Sequence, residues 1–297
     1  MIRISCFGEI LWDVFPSYRR IGGAPLNVAL RLHRLGAEVS MISRLGKDPD
    51  GDEILSFLKQ QGLKSDLVQL DEKLPTGTVE VHLDESRTAT YTINEPVAWD
   101  AIQSSAEIRD AIKVSDALIF GSLVCRSRES EDTLLSLIDL CPFRIFDLNL
   151  RPPHYDLDKI VALMHKADLI KMNDEEIEEV CGHLGLPGKS TTERIRALSG
   201  FLSPKTTLCV TKGAEGAEML HENLHYENLG YPVKVADTVG AGDSFLATLS
   251  FLLLGGSEPQ KALDTACAMG SLVAGKEGAN PIVSQEEIDN MLNSSDS

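Results

Sequence analysis

Leu169-Ile170-Lys171-Met172-Asn173-Asp174-Glu175-Glu176 reads as a short apolar strand that runs straight into a helix start. Asn173 is a natural N-cap, Glu176 stands at N3 of a capping box, and carboxylates favour a first turn. The same order recurs along the chain. Strands are expected at 2–7, 38–43, 117–121, 143–147, 169–172 and 206–211, and helices at 27–35, 51–61, 129–140, 157–165 and 174–184. Repeated strand–helix alternation gives an α/β fold, a mostly parallel sheet with helices on both faces. One segment breaks the rhythm. In 76–93, Val79, Val81 and Leu83 alternate with polar residues, a turn follows at 84–87, and β-formers return at 88–93. It is a half-exposed hairpin expected to pair with 14–21 in a small separate sheet. By itself it reads as an edge decoration; the other reading is a lid that shuts a site from water.

The 297 residues are 43% hydrophobic, ample for a large core. With 28 basic against 45 acidic side chains, the net charge of −17 and the lack of a basic patch argue against nucleic-acid binding. The most apolar run, 245–254, is too short to cross a bilayer and ends in Gly255-Gly256. The N-terminus turns acidic at Glu9 without a small-residue cleavage site, so no signal peptide and a cytoplasmic location are expected. The six cysteines form no Cys-x-x-Cys pair, and five lie in or beside apolar runs, where a thiol acts as a small hydrophobe. There is no internal repeat, and only the Ser-rich end after Met291 is expected to fray.

The densest chemical signal is Asp237-Thr238-Val239-Gly240-Ala241-Gly242-Asp243-Ser244-Phe245, followed by the apolar run to Leu254. Small residues opening a helix leave amides free to converge on an anion, with the helix dipole behind them. An aspartate among those amides repels phosphate unless it takes a proton from an attacking hydroxyl. Otherwise Asp243 is a first-turn carboxylate complementing the dipole. A second signal is Gly22-Gly23-Ala24-Pro25-Leu26-Asn27-Val28-Ala29. Its glycines admit close approach of a ligand, and Asn27 offers a donor and an acceptor at a helix start. Asp13 is suited to accept from sugar hydroxyls, or else is a solvated loop acid. Asp147-Leu148-Asn149-Leu150-Arg151, Asn173 to Glu176 and Thr211-Lys212-Gly213 each follow a strand's carboxyl end, where open α/β sheets bind ligands.

With Gly22, Gly23, Asn27, Ala29, Gly36 and Gly46 in one signature and Asp237 to Asp243 in another, the chain resembles the PfkB family of carbohydrate kinases, the ribokinase-like enzymes, nearly end to end. The resemblance implies one ribokinase-like α/β domain over 1–297, with lid segments at about 14–21 and 76–97. It implies Asp243 as the base that deprotonates a sugar hydroxyl, and Gly240, Ala241 and Gly242 as the anion hole. Asn173 and Glu176 resemble the family's motif for Mg²⁺ and ATP phosphates, with Glu176 acting on Mg²⁺ indirectly; Thr211 and Gly213 resemble its nucleotide contacts. A K⁺ site through main-chain carbonyls is implied near Asp237, Val239 and Gly278. Thr248 departs from the family's usual Gly or Ala. Leu11 to Pro16 and Phe146 to Pro152 look most like fructokinases, which implies that Asp13, Gly23, Asn27 and Arg151 hold the sugar and that O6 of fructose attacks. Ribose, 2-keto-3-deoxygluconate or a nucleoside as acceptor, a non-catalytic sugar-binding relative, and a homodimer through the lid sheet are the other expectations carried forward.

Two patterns point elsewhere. His221-Glu222-Asn223-Leu224-His225 fits the zinc-protease pattern, which needs a helix, yet its surroundings read as strand–turn–strand. Gly188-Lys189-Ser190 lacks the upstream glycine and the preceding strand of a P-loop, and reads as a loop.

Overall fold

The structure, a computed structural model, describes residues 1–83 and 89–293. The turn expected at 84–87, together with Thr88 and the last residues of the Ser-rich end, lies outside the described residues. Thirteen strands are described: β1 (Arg3–Phe7), β2 (Leu11–Val14), β3 (Arg19–Gly22), β4 (Glu38–Gly46), β5 (Val68–Asp71), β6 (Gly77–Leu83), β7 (Ala89–Ile93), β8 (Ala117–Gly121), β9 (Arg144–Asp147), β10 (Leu169–Asn173), β11 (Thr207–Thr211), β12 (Ala217–His221) and β13 (Leu224–Asn228). Nine form one sheet in the order β13-β12-β11-β10-β9-β8-β1-β4-β5, and four form another in the order β3-β2-β6-β7.

From β5 across to β11 every pairing in the large sheet is parallel, and only the β11–β12 and β12–β13 pairings at one edge are antiparallel. The sequence dictates this. Strands such as Ala117–Gly121 are buried throughout, as a sheet covered on both faces requires. On one face Phe7, Phe120, Phe146 and Met172 pack with Trp99 and Leu134; on the other Ile4, Cys6 and Ile119 meet Leu26 and Leu246. Phe120 and Phe146 stack with ring centroids 5.1 Å apart. All six cysteines are buried and free. Among the described residues no helix is long and apolar enough to cross a membrane.

Parallel strands put their carboxyl ends on one rim, so Gly8, Gly46, Gly121, Asp147, Asn173 and Thr211 end near the same edge. The small sheet stands over that rim. β2 pairs with β6 in parallel and with β3 in antiparallel fashion. The segment expected at 14–21 is therefore wider, two strands reaching from Leu11 to Gly22 and turning where Phe15 N donates to Tyr18 O at 2.9 Å.

Boundaries moved where capping overrode periodicity. The helix expected to start at Asn27 is Ala24–Arg34, because Gly23, with φ of 110°, caps it and Pro25 fits the first turn. Asn27 thus sits a turn inside and is not the cap. β4 runs on to Gly46, and the helix expected over 129–140 ends at Leu137 before a 3-10 turn to Leu140. β5 and the helices Ala106–Lys113, Thr191–Phe201, Pro259–Ala274 and Gln285–Asn293 were not anticipated, whereas β12 and β13 are the expected strand–turn–strand. That hairpin disposes of the zinc-protease pattern: Glu222 and Asn223, at φ of 51° and 64°, form its turn. His221 Nδ1 pairs with Thr207 Oγ1 and His225 Nε2 with Glu218, so the two imidazoles do not converge. No cluster of three metal-ligating side chains occurs among the described residues.

Candidate active site

The helix Ala241–Leu254 opens at Gly240, whose φ of 78° is left-handed. A Cβ there would collide with the Ala279 main chain, so the tight approach admits only glycine. Within the turn Ala241 N donates to Thr238 O at 3.3 Å, and Ser244 N donates to Gly240 O at 2.9 Å as the helix begins. Asp243 lies in that first turn, and its Oδ2 accepts from Asn27 Nδ2 at 2.8 Å. Asn27 Oδ1 in turn accepts from Asn280 Nδ2 at 2.8 Å. Both polar ends of Asn27, expected to be open for sugar hydroxyls, are thus also engaged with protein groups that hold the carboxylate. Thr248 does not disturb the helix, because its hydroxyl donates to Ser244 O at 2.8 Å.

Two chambers meet at this helix start. A polar cleft of about 540 Å³ is lined by Glu9, Asp13, Gly23, Asn27, Asn149, Arg151, Lys171, Val239, Gly240, Gly242 and Asp243, with Val79 and Ile93 of the small sheet over it. A more apolar chamber of about 390 Å³ is lined by Thr211, Gly213, Ala214, Tyr231, Phe245, Cys267 and Ser271. Thr238 and Gly242 border both. An acceptor and a nucleotide placed in the two would meet at Asp243.

The electrostatics of the polar cleft are those of crowded carboxylates. Burial, and then the Asp147 charge, push the Asp243 carboxyl up to about 6, against the Asn27 hydrogen bond and the Lys171 and Arg151 charges. Burial raises Asp13 to about 6, with Arg151 pulling the other way. Glu9, which the sequence reading passed over, is pushed up to about 7 by burial, and its Oε2 has no partner. Lys171 was also missed. Its Nζ lies 3.0 Å from Asp147 Oδ1 in a buried pair beneath the Gly240–Gly242 turn. An interior lysine in an apolar strand was the available signal for it.

Asn173 and Glu176 form the capping box that competed with the nucleotide reading: Asn173 Oδ1 accepts from Glu176 N at 2.7 Å and Glu176 Oε2 accepts from Asn173 N at 2.8 Å. Glu176 Oε1 also accepts from Leu150 N at 2.7 Å, so it braces the Asn149–Arg151 loop from below without lining either chamber. Burial raises its carboxyl, and Lys171 opposes the shift. Asp237 lies just before the Gly240–Gly242 turn, where its Oδ2 accepts from Arg20 of β3 at 2.8 Å and from Gly278 N at 3.2 Å. Its Oδ1 accepts from Val239 N at 3.1 Å.

The pfkB family carbohydrate kinase profile matches residues 16–286. A fructokinase-2 of Solanum habrochaites is 27% identical over 94% of this chain and 92% of its own. The fructokinase of Vibrio cholerae O395, solved with fructose, ADP and potassium ion, superposes with a TM-score of 0.84 at 25% identity over 98% of both chains. The fructokinase of Xylella fastidiosa, solved with ATP, gives a TM-score of 0.85 at 21% identity over 99% of both.

Proposed function

The chain belongs to the pfkB family of carbohydrate kinases, and from that premise we propose that this sugar kinase uses ATP to phosphorylate fructose at O6. The observation that carries the site assignment is the placement of Asp243 beside the Gly240–Gly242 turn, where the polar cleft meets the apolar chamber.

In this reading the sugar lies under the small sheet, which acts as a lid, against Asp13, Gly23 and Arg151. Asp13 accepts hydrogen bonds from hydroxyls, and Arg151 donates to them. Asn27 fixes the Asp243 carboxylate through one amide hydrogen bond, leaving the carboxylate to take the O6 proton as the alkoxide attacks. The amides of Gly240, Ala241 and Gly242 stabilise the charge on the phosphoryl group in transit. The adenine ring fits the apolar chamber between Tyr231, Phe245 and Cys267, with Thr211 and Gly213 at its edge. Lid closure excludes water, which would compete as acceptor.

Mg²⁺ neutralises phosphate charge when bound. With no cluster of three acidic ligands among the described residues, the ion would be held largely by phosphate oxygens and water, and Glu176 would act by fixing the loop rather than by direct ligation. A K⁺ ion at Asp237, Val239 and Gly278 would rest on main-chain oxygens, because Arg20 and two amides already occupy the Asp237 carboxylate.

The test is sugar-dependent ADP release by the purified chain over a panel of fructose, ribose, 2-keto-3-deoxygluconate and a nucleoside. Fructose is expected to give the highest kcat/KM, with fructose 6-phosphate as product. A higher kcat/KM for another acceptor overturns the fructose assignment and leaves the kinase chemistry standing.

A further inference from the structure

Lys171 is out of place for a structural residue. It sits in β10 between Ile170 and Met172, both fully buried, and is itself 7% exposed. The only hydrogen-bond partner of its ammonium among the described residues is Asp147 Oδ1 of the neighbouring strand, and Asp147 Oδ2 is buried without any partner. A buried ion pair satisfied on one side is a poor source of stability, since desolvation of both charges offsets most of the attraction. Apolar residues at both positions would serve the sheet better. The pair therefore asks for another explanation, and its surroundings supply one.

The ammonium lies under the anion-hole turn: a methyl group at Gly242 would come within 3.3 Å of Lys171 Nζ. Lys171 also lines the polar cleft beside Gly242 and Asp243, where the two chambers meet. Asp147 and Glu176 act on the ammonium from below, and Glu9, Asp13 and Asp243 line the cleft itself, so a phosphate arriving without Lys171 would meet those carboxylates with only Arg151 of the same lining to offset them. A charged group held close to the amides that receive the phosphate, and not solvated by water, is placed to act on charge that develops there.

We propose that Lys171 is a further catalytic residue, whose ammonium touches the phosphoryl group as it passes from the nucleotide to the acceptor, with Asp147 as the positioning residue that aims it. This rests on the phosphoryl-transfer reading above. In the step, the acceptor oxygen bonds to phosphorus, the bond from phosphorus to the β,γ-bridging oxygen breaks with its electrons leaving on ADP, and the acceptor's proton goes to Asp243. Lys171 keeps its proton throughout and donates hydrogen bonds to the moving group. Gly242 has no side chain that would shield the two from each other.

Two variants and two binding measurements test this. Lys171→Met leaves Asp147 as an orphan charge, so the double variant Asp147→Asn/Lys171→Met, which removes both charges, accompanies it. Expected for Lys171→Met is a fall in kcat of about 10²–10³-fold, the usual range for losing one donor to a transition-state charge. ADP affinity stays near the wild-type value, while the affinity for ADP with aluminium fluoride in the presence of fructose falls roughly as kcat does. The double variant recovers thermal stability and not turnover. Turnover in the double variant close to that of the wild type, or equal losses of ADP and ADP–aluminium fluoride affinity in Lys171→Met, would show that Lys171 serves only the sheet and overturn the proposal. A wild-type chain that phosphorylates no acceptor in the panel would instead overturn the reading on which it rests.

Discussion

Asn27 Nδ2 donates to Asp243 Oδ2 at 2.8 Å, a bond between residues 216 positions apart in the chain. It joins the glycine-rich start of the helix Ala24–Arg34 to the first turn of the helix Ala241–Leu254, two stretches that the sequence presents separately. The large sheet brings them together, since the helices Ala24–Arg34 and Ala241–Leu254 pack on the same face of it. Asn280, on the loop that also crowds Gly240, completes the chain of contacts by donating to Asn27.

That bond favours the ionised form of Asp243, whose carboxyl is otherwise pushed up to about 6 by burial. A general base works only when deprotonated, so kcat/KM is expected to rise with pH through about 6 and level off above it. Asn27→Leu removes the donor and raises the Asp243 value further. Its acid limb should shift upward by about one pH unit, with a larger loss of activity at pH 6 than at pH 8. A pH–rate profile of the two proteins checks this.

Glu9 affects stability in the opposite sense from a salt-bridged acid. Its folded value, about 7, lies above the model-peptide value of 4.5, so between these limits the native state holds a proton that the unfolded chain releases. Stability from this group is therefore highest below the lower value, declines as pH rises, and reaches its full cost above the upper one. Glu9→Gln removes that cost. The variant should be more stable than the wild type at pH 8, by on the order of 3 kcal/mol at most, and show no such gain at pH 4. Calorimetry at the two pH values gives the comparison.

Arg20 ties the small sheet to the loop before Gly240 through Asp237. The pair is partly exposed, so its contribution is of order 1 kcal/mol or less. Arg20→Gln should raise the sugar KM by about three- to fivefold with little change in kcat under saturating sugar, and the effect should shrink in high salt. Steady-state kinetics at low and high ionic strength measure both.

Ser271 lines the apolar chamber from the helix Pro259–Ala274. Ser271→Trp fills that space with a side chain the nucleotide base would otherwise displace. ATP KM should rise about tenfold or more while sugar affinity, measured without nucleotide, stays the same. Equal loss of both would place the base elsewhere.

Much of this was legible in the sequence because parallel strands buried on both faces announce themselves. Phe143 to Asp147 and Leu169 to Met172 are apolar runs with abrupt polar ends, and the polar ends are the rim of the site. The Gly240–Asp243 turn was legible because its first residue needs a left-handed backbone and close approach that only glycine tolerates. What escaped has physical reasons as well. The helix Pro259–Ala274 carries Ala, Gly, Ser and Cys around its circumference, so its apolar stripe is weak. β5, Val-Gln-Leu-Asp, is an edge strand too short and too mixed to stand out. Asn27 was read as open to ligand because its partners, Asp243 and Asn280, are distant in the chain and become neighbours only after folding. Lys171 and Glu9 are charged residues in strand-like surroundings, and nothing local shows which cavity such a group lines.

The most direct test of the central claim is single-turnover transfer of the γ-phosphoryl group from ATP to fructose in Asp243→Asn, with ATP and fructose binding measured on the same preparation. Asparagine keeps the shape of the side chain and loses the base. Transfer slowed by about 10²–10⁴-fold, with both binding constants near those of the wild type, is the result expected of a positioned base. Transfer at the wild-type rate, with fructose and ATP bound normally, would contradict the account.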